Sequence, residues 1–204
     1  MIKKLLLLEV FILLFILSNA QGFSDNFTDR DFTANPTWTG ETSKFIVNAS
    51  GQLQLDDQGP SSPTYLVTAS NAISNSTWEF YVHFDFAPSI SNYGRVYLVS
   101  DNPNLTGSLN GYYVKVGGIS GSADDVSLYR QNGTSSTLLI DGTDGTVGTD
   151  PVDLKIRVTR DSLGKWELFT DLTATGNSYN SEGFINDNSI TQSQYFGVWC
   201  NYIY

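Results

Sequence analysis

Cysteine and histidine are almost missing from this sequence, which has one of each, Cys200 and His83. A single cysteine cannot form an intramolecular disulfide, so the stability of the fold has to come from packing. Zinc sites need sets of cysteine and histidine ligands, which this composition cannot supply. Because Cys200 follows the apolar segment Gly-Val-Trp, we predict a small buried core residue. A reactive thiol or an intermolecular disulfide is the alternative.

Basic side chains are also scarce. The sequence has 11 Lys and Arg against 21 Asp and Glu, which gives a net charge of −10. Such a chain repels phosphate groups, so nucleic acids and anionic membrane surfaces are poor partners. Calcium ions, or neutral ligands that stack on aromatic rings, suit this composition better.

The N-terminus has the pattern of a secretory signal peptide. Lys3 and Lys4 precede an apolar run over 5–17, and small residues close the segment at 18–20. We therefore predict a signal peptide over 1–20 and a secreted or cell-surface protein. The apolar run is shorter than the roughly 20 residues that span a bilayer, so we expect no membrane insertion. An uncleaved membrane anchor is the alternative.

Beyond residue 20 the sequence lacks the apolar periodicity of a helix, and strand patterns take its place. In 78–86, apolar Trp, Phe and Val at even positions alternate with Glu, Tyr, His and Asp at odd positions. A period of two describes a strand with one buried and one exposed face. Similar segments are separated by clusters of Gly, Asn, Asp, Ser and Pro. They predict an all-β fold, a two-sheet antiparallel β-sandwich, in a single domain over 21–204.

The predicted strands are 44–49, 51–56, 64–69, 77–86, 94–100, 111–117, 125–130, 136–140, 152–160, 164–170 and 194–202. The pairs Asn132-Gly133 and Asp141-Gly142 are predicted hairpin turns. We expect the polar segment 171–193 to be one long surface connection.

Alternation also assigns each strand residue to one of two faces. The residues on one face of each strand are mostly apolar and form the predicted core. They are Val96, Leu98, Tyr112, Val114, Val116, Val126, Leu128, Leu154, Ile156 and Val158. If the strands share a sheet, its outer face carries tyrosines interleaved with isolated charges. Rings offer sugars an apolar platform, while charged groups can hydrogen-bond to sugar hydroxyls. We therefore predict a ligand-binding face of Tyr81, His83, Arg95, Tyr97, Tyr113 and Lys115. The alternative is a solvated surface that binds nothing.

Several segments resemble a secreted domain common in surface proteins of Bacteroidota. They are Asn35 to Gly40, Ser43 to Leu55, Trp78-Glu-Phe, Tyr97 to Leu105, Gly111 to Gly118 and Leu128 to Gly133. That domain is similar to concanavalin A-like lectin/glucanase and laminin-G-like jelly rolls. It often stands at the N-terminus of long proteins with lamin-tail or other β domains. The resemblance covers most of residues 23–202 and implies a jelly-roll recognition or adhesion module that binds carbohydrate or a cell-surface glycan.

Jelly rolls of this kind usually continue past a segment such as 195–201 to a last strand. The resemblance therefore implies a domain that lacks its last strand and is truncated at the C-terminus.

Enzymes of the glucanase type carry paired acids along one strand, because two carboxyl groups must flank the scissile bond. Glu79 and Asp85 are about 20 Å apart on an extended strand, too far for that role. We therefore predict a non-catalytic protein. A glycoside hydrolase is the first alternative, and a structural spacer of a larger surface protein is the second. His83, two residues before Asp85, is interpreted as a hydrogen-bonding surface residue; a base oriented by that carboxylate is the alternative.

Calcium is the one metal that the acidic loops suggest, since it takes oxygen ligands. The candidate ligands are Asp101, Asp124, Asp125, Asp141 and Asp144. None follows the spacing of an EF-hand, and Asp is an ordinary turn residue. We expect no required cofactor, with calcium as the candidate to test.

Overall fold

The fold is almost entirely β. The computed structural model describes residues 22–60 and 63–203. The predicted signal peptide lies outside these residues. In the described part of the chain no helix is long and apolar enough to cross a membrane. The strands are β1 Thr39–Gly40, β2 Phe45–Val47, β3 Leu53–Leu55, β4 Thr64–Ala69, β5 Ser76–Phe84, β6 Tyr93–Ser100, β7 Leu109–Val116, β8 Val126–Gly133, β9 Ser135–Ile140, β10 Val152–Arg160, β11 Lys165–Asp171, β12 Asn180–Asn186 and β13 Tyr195–Asn201.

Two antiparallel sheets face each other. One has seven strands in the order β1-β4-β13-β6-β7-β8-β9, and the other has four in the order β12-β11-β10-β5. The short strands β2 and β3 form a separate two-stranded sheet. This arrangement confirms the predicted all-β class and the antiparallel β-sandwich. The predicted loss of a last strand stays a prediction.

The core lies between the two large sheets, and the parity of the strands predicted it correctly. All ten residues assigned to the core by alternation belong to the main hydrophobic cluster. At its centre the rings of Trp78 and Trp166 stack, with centroids 5.5 Å apart, and Tyr112 packs on Trp166 at 4.4 Å. Removing a buried ring of this size typically destabilises a domain by about 3–5 kcal/mol.

Two local predictions were wrong. The segment 171–193 contains β12, which pairs with β11 along the edge of the four-stranded sheet. Its sequence, Asn-Ser-Glu-Gly-Phe-Ile-Asn, is largely polar, because an edge strand is held mainly by backbone pairing. Asp141-Gly142 does not close a hairpin. It begins the connection from β9, in the seven-stranded sheet, to β10, in the other.

The connection after β11 is organised by one buried carboxylate. Asp171 accepts hydrogen bonds from the backbone N–H groups of Thr173 at 2.9 Å and Gly176 at 2.6 Å. The N–H groups of Asn177 and Ser178 also point at it, at 3.1 and 3.3 Å. The side-chain and backbone hydrogen bonds of Thr173, against an opposing effect of burial, hold the pKa of Asp171 well below its ordinary value.

We predict that Asp171→Asn destabilises the protein in a pH-dependent way. A carboxyl group with a lowered pKa stabilises the fold above its unfolded pKa, and this contribution is lost as the pH falls. Denaturant unfolding should therefore give a constant difference between the two proteins from pH 7 to 5, and a smaller one below about pH 4. Asp29→Asn, at an exposed aspartate that accepts one backbone bond, is the control. A difference that stays constant down to pH 3 would contradict a role for the charge.

Cys200 packs against the main core, as predicted, although part of its side chain stays exposed. Burial raises the pKa of its thiol to about 12. Because the thiolate is the reactive form, we expect the native protein to react very slowly with a disulfide reagent at pH 8. The same protein in denaturant should react at once. Rapid reaction of the folded protein with one equivalent would show that Cys200 is a reactive thiol.

Candidate functional site

The six predicted site residues lie on two different sheets. Tyr81 and His83 are on β5, in the four-stranded sheet, whereas Arg95, Tyr97, Tyr113 and Lys115 are on β6 and β7, in the seven-stranded sheet. The outer faces of a sandwich point away from each other. The prediction of one shared face is therefore wrong. Alternation shows which side of its own strand a residue faces, but not which sheet the strand joins.

Several charged groups on the outer face of the four-stranded sheet have a partner of opposite charge. Arg157 forms an ion pair with Glu79 at 2.8 Å and lies 3.8 Å from the ring of Tyr179. His83 Nε2 lies 2.9 Å from a carboxylate oxygen of Asp85.

Tyr81 stacks on His83, with the ring centroids 6.3 Å apart. Burial, and then the neighbouring Asp153, raise the pKa of Tyr81 to about 12, so its phenol is neutral near pH 7. This face has the paired charges of an ordinary solvated surface.

The outer face of the seven-stranded sheet carries two cross-strand rows. In the first row Trp199 is directly opposite Arg95, and Arg95 is directly opposite Lys115. In the second row Tyr97 pairs with Tyr113, and Tyr113 pairs with Tyr129. Tyr113 and Tyr129 stack almost in parallel, with centroids 5.2 Å apart. Arg95, Tyr97, Tyr113 and Lys115 thus lie side by side on neighbouring strands, and their role as a binding site stays a prediction.

Two of these tyrosines are buried, although the sequence predicted an exposed face. Tyr97 is 0% and Tyr113 is 2% exposed, within a second hydrophobic cluster that also contains Leu105 and Leu109. These two leucines come from the loop between β6 and β7, residues 101–108, and from the first residue of β7. The rings therefore cannot stack on a ligand from above, and they form the floor of the site instead.

Short polar side chains hold this loop against the sheet. Both carboxylate oxygens of Asp101 accept 2.7 Å hydrogen bonds from Asn110. Asn104 accepts bonds from the backbone and the hydroxyl of Thr106. Gly197 makes room below, because a Cβ there would lie 2.8 Å from Leu105 Cδ1. Such Asx turns are local, but their tertiary contact with the sheet leaves no periodic signal in the sequence.

The phenol groups of the floor are already bonded. The Tyr97 hydroxyl donates to Gln131 Oε1 at 2.7 Å, and Gln131 Nε2 donates to the Gly133 carbonyl at 2.8 Å. The Tyr113 hydroxyl donates to Ser136 Oγ at 3.0 Å. Burial raises the pKa of Tyr97 above its ordinary value, so it remains a neutral donor.

Arg95 lies among aromatic rings. Its guanidinium carbon is 4.4 Å from the ring centroid of Trp199 and 4.8 Å from that of Tyr113. Its terminal nitrogens make long bonds of 3.3 and 3.4 Å to the hydroxyls of Tyr93 and Tyr97. Its Nε is buried and has no hydrogen-bond acceptor. Partly desolvated cation–π contacts of this kind contribute about 1–2 kcal/mol.

Lys115 is the second cation of this face. Its Nζ donates to the Gly118 carbonyl at 2.9 Å and lies 5.2 Å from the ring centroid of Tyr93. Burial, and then the positive charge of Arg95, lower its pKa below the ordinary value.

A cavity of about 220 Å³ opens beside Arg95 and Trp199. The remaining lining residues are Pro63, Tyr97, Leu105, Thr106, Gly107, Gln131, Thr134 and Ser136. Sequence reasoning missed most of them. Trp199 could have been found from the sequence. It lies an even number of residues from Tyr195 in a predicted strand, so both side chains are on the same face of that strand. Gln131 lies just beyond the predicted end of its strand, and the other residues are in loops or on an edge strand.

The calcium candidates are placed in several different settings. The carboxylate of Asp101 is used within its loop, and Asp124 Oδ1 accepts a 2.8 Å bond from the N–H of Ile119. Burial, and to a smaller extent the charges of Asp141 and Asp144, raise the pKa of Asp125. Among residues 22–60 and 63–203, no group of three acidic, histidine or cysteine residues is arranged to hold a metal ion. Calcium binding therefore stays a prediction.

No protein-family profile and no curated protein matches this sequence. Solved structures do match the fold. The carbohydrate-binding module CBM66 from Bacillus subtilis superposes with a TM-score of 0.57 at 12% identity, over 89% of this chain and 98% of that one. The mannose- and calcium-bound VIP36 exoplasmic/lumenal domain gives 0.56 at 16%, over 81% and 75%. A Bacillus licheniformis β-glucanase gives 0.50 at 7%, over 87% and 83%. The chain therefore has the concanavalin A-like lectin/glucanase fold.

Proposed function

We propose that this chain is a secreted, non-catalytic module that recognises carbohydrate on its seven-stranded sheet. The observation that carries the proposal is the cavity beside Arg95 and Trp199, whose wall combines aromatic, aliphatic and polar groups. Sugars present both apolar C–H faces and hydroxyls, and such a mixed lining suits them. Secretion and a cell-surface location are proposed with it, from the predicted signal peptide.

The size of the cavity favours a terminal sugar unit. Its volume of about 220 Å³ is below the roughly 300–1,000 Å³ of pockets that enclose whole small molecules. A chain end can enter it while the rest of the glycan lies on the surface. Thr134, Ser136 and Thr106 supply hydroxyls at its rim, and Trp199 and Leu105 supply apolar contact.

The structural neighbours support this ligand class. One is a carbohydrate-binding module, and another was solved with mannose bound in an exoplasmic or lumenal domain. At their low identity they share the fold, so the ligand remains part of the proposal.

A glycoside hydrolase is the competing interpretation, since a β-glucanase shares the fold. Hydrolysis needs two carboxyl groups on either side of the bond. None of the residues that line the cavity is Asp or Glu. Reducing-sugar release from a polysaccharide panel would favour the hydrolase. Binding without release favours the recognition module, and neither activity favours the structural spacer.

We predict that Thr134→Trp blocks binding. Thr134 is exposed and lines the cavity, so an indole there fills the space without removing any core side chain. Ligands are first found by the rise in the thermal midpoint of residues 21–204 across a polysaccharide panel. Calorimetry should then show affinity for the selected glycan at least about tenfold weaker in the variant, which is about 1.4 kcal/mol.

Thr137→Trp is the matched control. Thr137 is also exposed and lies three residues further along, on β9, but outside the lining of the cavity. The control should bind like the original protein. If both variants keep full affinity, the cavity is not the site.

We also predict that Tyr81→Ala and His83→Ala leave glycan affinity unchanged. Both residues lie on the outer face of the four-stranded sheet, away from the cavity. The same calorimetric titration measures the effect. A clear loss of affinity in either folded variant would move the binding site to that face.

A further inference from the structure

Within the described chain, Arg95 has no acidic partner and only weak acceptors. Arg160, a buried arginine that also has no ion pair among these residues, donates instead to the Ile73 carbonyl and to Asn188 Oδ1, both at 2.9 Å. No carboxylate oxygen in the described residues lies within 4.0 Å of Arg95, in a protein with a net charge of −10. Its acceptors are two neutral phenols at 3.3 and 3.4 Å, and its Nε has none. Removing a cation from water is unfavourable unless a counter-ion or strong acceptors compensate it.

Arg157 provides an internal comparison. It also stacks on a tyrosine ring, at 3.8 Å from Tyr179, but it is paired with Glu79 at 2.8 Å. Of these two stacked arginines, Arg157 therefore has a carboxylate against it, and Arg95 has none among the described residues. Arg95, not Arg157, lines a cavity.

The pairing of β6 with β7 places a second cation beside Arg95 and so increases the local excess of positive charge. Arg95 lies directly opposite Lys115 on the neighbouring strand and on the same face. Like charges in this position repel each other and destabilise a sheet. Lys115 has the Gly118 carbonyl as its acceptor, and no acidic oxygen in the described chain lies within ion-pair distance of it. Two adjacent cations thus face the same side of the sheet with no described carboxylate at ion-pair distance, and the nearby charges of Asp125 and Asp124 act on Lys115 only from further away.

We propose that the sugar unit taken by the cavity is anionic, and that its carboxylate or sulfate group binds the guanidinium of Arg95. This inference rests on the proposed function and names the ligand class of that site. An oxyanion supplies the counter-charge that the protein omits. The rings of Trp199 and Tyr113 hold the guanidinium in place, so a planar bidentate contact needs little further ordering. Lys115 adds to the positive potential.

The experiment compares glycans that differ only in charge. Oligogalacturonides and their methyl esters test the carboxylate, and sulfated galactan oligosaccharides and their desulfated forms test the sulfate. We expect the charged member of one pair to bind at least about tenfold more tightly than its neutral partner. The preference should decrease as the salt concentration rises.

Variants at the arginine test whether Arg95 is responsible. Arg95→Gln should bring the two members of the preferred pair to within about twofold of each other. Arg95→Lys should keep part of the preference, because it keeps the charge but loses the bidentate geometry. Arg157→Gln, the stacked arginine of the other sheet, is the matched control and should keep the full preference. Thermal unfolding of each variant checks that it is folded, and Arg95→Lys serves if Arg95→Gln does not fold.

The outcomes separate this inference from the proposed function. Equal binding of charged and neutral members, still blocked by Thr134→Trp, overturns the inference and leaves carbohydrate recognition intact. A charge preference that survives in folded Arg95→Gln also overturns it. No binding by any of these glycans or by the polysaccharide panel overturns the inference together with the proposed function.

Discussion

The seven-stranded sheet carries large apolar side chains on both faces, and the rest of the structure depends on covering them. The four-stranded sheet covers the inner face and forms the main core around Trp78 and Trp166. The loop of residues 101–108 covers part of the outer face by packing Leu105 on Tyr97 and Tyr113. Since that cover is incomplete, a cavity remains at its edge. The candidate site therefore lies at the uncovered edge of the second hydrophobic cluster.

This second cluster explains how an acidic protein keeps an unpaired arginine. The faces of Trp199 and Tyr113 lie 4.4 and 4.8 Å from the guanidinium of Arg95 and attract it through the ring quadrupole. The ring faces do not occupy the in-plane N–H groups of the guanidinium, so the terminal N–H groups that Tyr93 and Tyr97 leave unbonded remain available to a ligand. The aromatic contacts thus fix the position of the charge without neutralising it.

The net charge of −10 makes long polyanions poor partners, and an anionic sugar is compatible with that. At about 0.1 M salt, charges more than roughly 10 Å apart are largely screened. A single carboxylate or sulfate in the cavity meets Arg95 at contact distance, where no carboxylate of the described residues lies within 4.0 Å. A phosphate backbone that extends over the surface would meet the acidic groups of the protein directly.

The sequence indicated which face of its strand each residue occupies, but not which strands are neighbours in a sheet. Alternation identified the core residues, such as Val114 and Ile156, and the grouping of Arg95 with Tyr113, because a period of two is a property of one strand. It could not separate Tyr81 from Tyr97, since sheet membership depends on contacts between distant segments. It also gave Tyr97 as exposed, because the loop that buries it is polar and irregular. The paired acids of a glucanase lie on one strand and can therefore be found in a short sequence segment. The rings that hold Arg95 come from β6, β7 and β13, so no single segment shows them together. Recognition chemistry of this kind therefore becomes visible only when the strands are assembled. The combination of a cavity with an arginine that has no acidic partner in the described chain, rather than a motif, marks the site.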